Sequence, residues 1–156
     1  MATIPTHTHP LLSVSFNADT DFTILAEHCE RLATGLLEND ALALRMAFCG
    51  RLSACLDLLR PVLYDPIPPH LVDSLTTDTL PETSSGFSPD ADSALLCEYC
   101  QALTTVLLSG GFSSLVEQTL AGLLFDLVCC FADGLKEPRW IRTADGVKFI
   151  DEVTKR

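Results

Sequence analysis

Residues 16–56, FNADTDFTILAEHCERLATGLLENDALALRMAFCGRLSACL, and residues 87–127, FSPDADSALLCEYCQALTTVLLSGGFSSLVEQTLAGLLFDL, align without a gap at a constant offset of 71. Thirteen of the 41 aligned positions are identical. Seven of the identities are leucines, which any two amphipathic helices in phase would share. The independent weight therefore rests on Phe16/Phe87, Asp19/Asp90, Asp21/Asp92, Glu27/Glu98, Cys29/Cys100 and Thr34/Thr105. In each copy the apolar residues recur at helical spacing, as in Phe22, Leu25, Ala26, Cys29, Leu32, Ala33, Leu36 and Leu37.

The first copy reads as two helices. One starts near Asn17, a residue type that caps helices, with Asp19 and Asp21 facing the positive end of the dipole. The other runs from about Ala41 to Leu59 and is halted by Pro61. Glu38-Asn39-Asp40 is too short a break for anything but an antiparallel hairpin. The second copy repeats the entry chemistry, with Ser88 as cap, Pro89 at the first helical position, and Asp90 and Asp92 behind it. A third helix over about 90–108 ends at Ser109-Gly110-Gly111, and a fourth spans about 113–133 and stops at Gly134.

The predicted fold is all-α: a four-helix bundle made of two repeated helical hairpins, with a small C-terminal β-hairpin. Its parts are a flexible N-terminal lead-in (1–15), hairpin repeat one (16–61), a Pro/Ser/Thr-rich linker (62–86), hairpin repeat two (87–135) and a basic tail (136–156). In the tail, Asp145-Gly146 between β-branched and aromatic runs predicts a two-residue turn. That turn would pair Thr143 with Lys148, Arg142 with Phe149 and Ile141 with Ile150.

The chain is acidic, with a net charge of −11. Residues 1–135 hold four basic and seventeen acidic groups, whereas 136–156 hold six basic and four acidic. A nucleic-acid backbone or an anionic membrane is a poor direct partner for such a body, and a basic protein surface is compatible with it. The stretch Leu115–Phe131 is interrupted by Glu117, Gln118 and Asp126, so no membrane span is expected, and no signal peptide is read at the N-terminus. All seven cysteines fall within leucine-rich helical stretches, which suits reduced, buried thiols and a cytosolic setting.

No reactive constellation stands out. Cys97 and Cys100 share a helix face, but Cys129 and Cys130 diverge by about 100°, so a four-thiolate zinc site lacks a ligand. His7 and His9 alone make an incomplete metal site. The Asp19/Asp21 and Asp90/Asp92 pairs are explained by helix N-termini, and Asp126 by a solvent-facing position. Neither a phosphate loop nor a nucleophile elbow is present. No catalytic residue, cofactor or metal is therefore predicted.

Two features point to partners. The second half of the fourth helix is apolar nearly all round, so Leu124, Phe125 and Val128 are expected in a homodimer or partner contact. Trp140, flanked by Arg139 and Arg142 on an acidic body, has the composition of an interface anchor. The functional expectation is a non-catalytic acidic protein-binding module acting as a regulator or inhibitor of a protein partner. The alternatives are a small-molecule-binding helical bundle, and an acidic decoy that blocks a nucleic-acid-binding site on another protein.

Overall fold

The structure, a computed structural model, describes residues 9–82 and 89–155, with residues 89–92 described by their backbone alone. It is mostly helical. Four long helices, α1 (Phe22–Glu38), α2 (Leu42–Val62), α3 (Pro89–Ser109) and α4 (Ser114–Lys136), are followed by a short α5 (Ile150–Thr154). Three short strands, β1 (Thr76–Thr77), β2 (Trp140–Thr143) and β3 (Gly146–Phe149), form one small sheet.

The helices pack as a ring: α1 lies against α2 and α4, and α3 lies against the same two. Each turns its apolar stripe inward. From α1 come Leu25, Cys29, Leu32 and Leu36, from α2 Phe48, Leu52, Leu56 and Leu59, from α3 Leu96 and Cys100, and from α4 Leu124, Val128, Phe131 and Leu135. These side chains form one contiguous core, the dominant stabilising feature of the molecule. Across it, Cys55 donates its thiol hydrogen to Leu25 O (3.3 Å), Cys49 to Thr104 O (3.6 Å) and Cys97 to Leu56 O (3.8 Å).

Several local expectations are revised. Asn17 does not cap α1. Its Oδ1 accepts from Asp19 N (2.8 Å) in a tight turn closed by Thr20, and the helix begins five residues later at Phe22. Asp21 occupies the cap position without a side-chain capping bond, because its carboxylate contacts His70 Nε2 at 2.7 Å instead. The lead-in is packed over its described part: Pro10–Ser13 forms a 3-10 turn against α1 and α2. There the His9 ring meets Phe48 edge-on, and Arg51 donates to Val14 O while lying 4.3 Å over the Phe16 ring. Pro61 sits inside the last turn of α2, which continues to Val62, and α4 runs past Gly134 to Lys136. The cap expected at Ser88 lies outside the described residues.

The tail does not stand alone as a two-stranded hairpin. β1, from the segment expected to be only a linker, pairs in parallel with β2 through Thr76↔Trp140 and Thr77↔Ile141. Leu75 O accepts from Arg139 N (2.8 Å) and Trp140 N (3.2 Å), and Leu71, Leu75 and Ile141 are buried. The β2–β3 register also differs from the expected one, pairing Thr143 with Gly146, Arg142 with Val147, Ile141 with Lys148 and Trp140 with Phe149. A turn centred on Asp145-Gly146 needs positive φ at both residues, and Asp145 does not have it. Ala144 and Asp145 make the turn, and Gly146, at φ +111°, closes it.

Candidate functional site: an acidic cavity at one end of the helices

At the end away from the two hairpin loops, the chain leaves a cavity of about 350 Å³. Four elements build it: the turn before α1 (Ala18–Phe22), the end of α2 with the segment behind it (Val62–His70), Ser93 in the first turns of α3, and Leu135 with Arg139 at the end of α4. Phe22, Val62, Leu63, Ile67 and Leu135 supply apolar lining, and Asp19, Asp21 and Asp65 supply carboxylates. Each position follows from local chemistry. The Asn17–Thr20 turn places Asp19 and Asp21 just outside α1, and Pro66 and Pro68 hold the segment after α2 extended across the opening.

The fixed charges are arranged asymmetrically. Arg139 donates to Gly134 O (3.0 Å) and to Glu137 O (2.5 Å), so its guanidinium closes the carbonyl end of α4. Asp21 is engaged by His70. No ion-pair partner of Asp19 or Asp65 lies among the described residues. The cavity thus mixes apolar side chains with three carboxylates, His70 and Arg139, and about half of its wall comes from the linker.

The residues singled out from the sequence are scattered. Leu124 and Val128 are each 0% exposed and belong to the core, so the contact expected there is internal to the chain. Phe125 is half-buried and packs on that core, with the rest of its ring open to solvent. Arg139 lines the cavity. Trp140 stacks at 5.4 Å on Phe149, and Arg142 reaches Asp78 (3.2 Å) at the exposed edge of the sheet. Asp65, Ile67 and His70 lie in a segment whose proline-rich composition reads as a connector. Its length was the only signal that could have flagged it.

Other candidates resolve as structure. Cys97 and Cys100 are buried, Cys129 is half-buried and Cys130 exposed, and no group of three or more His, Cys, Asp or Glu is placed to hold a metal among the described residues. Asp126 is exposed. His28 is pushed below the usual histidine range by burial and by Arg31 nearby. By length and composition α4 is long and apolar enough to cross a membrane, with Glu117 and Asp126 interrupting its apolar run. Comparison with protein-family models, with curated proteins and with solved structures finds no match.

Proposed function

We propose that this chain is a non-catalytic, acidic protein-binding module that regulates or inhibits a protein partner. In this reading a basic, partly apolar segment of the partner seats in the cavity at the end of the helices. The observation that carries it is a cavity in which Asp19, Asp21 and Asp65 stand beside the apolar Phe22, Val62, Leu63, Ile67 and Leu135, on a chain of net charge −11. A lysine or arginine entering it would lay its methylenes on Phe22 and Ile67 and bring its charge to the carboxylates. The summed negative field would also speed encounter with a positive surface. A small organic cation is the second reading, favoured by a cavity volume within the range of small-ligand sites.

The same proposal takes the four long helices as a bundle of two repeated hairpins in a reduced, cytosolic protein. Equivalent burial of Leu25/Leu96, Cys29/Cys100 and Leu36/Leu107 supports the duplication. Seven free cysteines, five of them buried, support the reduced setting.

The test is a titration of the isotope-labelled chain with a peptide of alternating lysine and leucine, followed by amide NMR shifts. Shifts are expected at 18–22, 63–70 and 135–139, weakening as salt is raised. An Asp19→Asn/Asp65→Asn double variant should bind about tenfold more weakly, about 1.4 kcal/mol. Shifts confined elsewhere, or unchanged affinity in the double variant, would overturn the reading.

A further inference from the structure

α3 has an outer face as apolar as a buried one. Leu95 (44% exposed), Tyr99 (49%), Ala102 and Val106 (37%) fall within an arc of about 60° at 100° per residue. They lie opposite the buried Cys97, Cys100 and Thr104. Exposed Val116 and Leu123 on α4 add to the apolar surface of the same hairpin. Between Glu98 and Glu117 there is no Asp, Glu, Lys or Arg, on a chain whose net charge is −11.

We propose that this face of α3 is a self-association surface that receives the same face of a second copy, antiparallel, about a two-fold axis. Two arguments select a second copy over other occupants. The first is charge. Two chains of net −11 repel wherever carboxylates meet, and this is the face where they can approach without that cost. A basic partner would be drawn instead to the carboxylates of the cavity. The second is self-complementarity, which a two-fold contact requires. The stripe steps by four, three and four residues, so it reads the same in both directions. With the axis between Cys100 and Gln101, Tyr99 of each copy faces Ala102 of the other, large against small, and Leu95 faces Val106. Glu98, on one flank of the stripe, is already paired with Arg60 at 3.0 Å and would lie beside Thr105 of the other copy. The inference concerns a different surface from the cavity.

Light scattering on the eluting full-length chain, at tens of micromolar, is the test. Wild type should weigh two chains and dissociate on dilution. Ala102→Glu places two carboxylates beside the axis and should give one chain, with association weakened at least tenfold and helical circular dichroism unchanged, because the side chain is exposed. Ala102→Lys should also give one chain, which separates a local clash from a change in net charge. Leu115→Glu, on an exposed residue outside the stripe, should leave the dimer intact. A wild-type monomer would overturn the proposal, including one that floats with phosphatidylcholine vesicles. So would a dimer that survives both Ala102 variants. Neither variant touches Asp19 or Asp65, so the peptide titration is unaffected by either result.

Discussion

Gly35 is buried in the last turn of α1, and a Cβ added there would lie 2.8 Å from Cε1 and 2.9 Å from Cζ of Phe48. Phe48 is itself 0% exposed, with His9 against its edge, so the ring has no room to yield. Glycine at this position therefore sets how closely α1 and α2 approach. Gly50 on α2 is exposed, and its added Cβ would meet nothing within 4 Å. Alanine should act with opposite signs at the two sites. Gly35→Ala should destabilise by about 1–3 kcal/mol through overpacking, against a gain of up to about 1 kcal/mol from helix propensity. Gly50→Ala should stabilise by about 0.5–1 kcal/mol. Thermal melts of both variants decide it: a Gly35→Ala variant as stable as Gly50→Ala would show that the helices do not meet there. Both glycines lie within apolar helical stretches of the sequence, and what a neighbouring helix brings up to each is set by the fold.

The elements were legible where side-chain period alone determines them, and illegible where a partner element does. α1 and α3 keep the offset of 71 in their burial: Leu25, Ala26, Cys29, Ala33 and Leu36 correspond to buried Leu96, Cys97, Cys100, Thr104 and Leu107. α2 and α4 do not. At that offset Phe48, Leu52, Cys55 and Leu59 fall on exposed Thr119, Leu123, Asp126 and Cys130. An offset of 76 maps Phe48, Leu52, Cys55, Leu56 and Leu59 onto buried Leu124, Val128, Phe131, Ala132 and Leu135. The identities Leu52/Leu123 and Leu56/Leu127 therefore carry no structural equivalence: Leu52 and Leu56 are buried, whereas Leu123 is exposed and Leu127 half-buried. The same limit hid the apolar stripe of α3, whose outer face looks like a core face until the structure shows which side is covered. In the tail the hairpin was legible and its register was not, since register depended on which residue takes positive φ. Gly146 does so at +111°, so Gly146→Ala should strain the turn and cost about 1–2 kcal/mol locally. Trp140, the only tryptophan, stacks on Phe149 across the strands and reports the change. Its fluorescence should shift towards that of a solvent-exposed indole while helical circular dichroism holds. An unaltered spectrum would mean that the turn accepts a side chain and that the assigned backbone is wrong.

Across the whole molecule the thiols record how far water is excluded. Cys29 from α1, Cys49 and Cys55 from α2, and Cys97 and Cys100 from α3 are each at most 1% exposed. Burial pushes Cys49 and Cys97 up to about 11, and burial with Cys97 nearby pushes Cys100 up to about 12. Cys29 is also held well above its ordinary value, by the neighbouring Cys55 thiol and by burial. These shifts have a definite consequence for stability. The folded state holds its thiol protons more tightly than the unfolded chain does, so the stabilisation is complete below the ordinary thiol value of 9.0. As pH rises above that value the unfolded chain ionises first, and stability falls until the folded thiols ionise near 11–12. Urea unfolding under reducing conditions should therefore give a midpoint that is flat to about pH 9 and then declines steadily. Other groups titrate at high pH as well, so the discriminating measurement is a variant. Cys49→Ala should be less stable at neutral pH, because it leaves a void, yet should lose less stability between pH 9 and 11 than the wild type. Parallel declines in the two proteins would mean that Cys49 ionises as readily folded as unfolded, and that the contact between α2 and α3 is open to water.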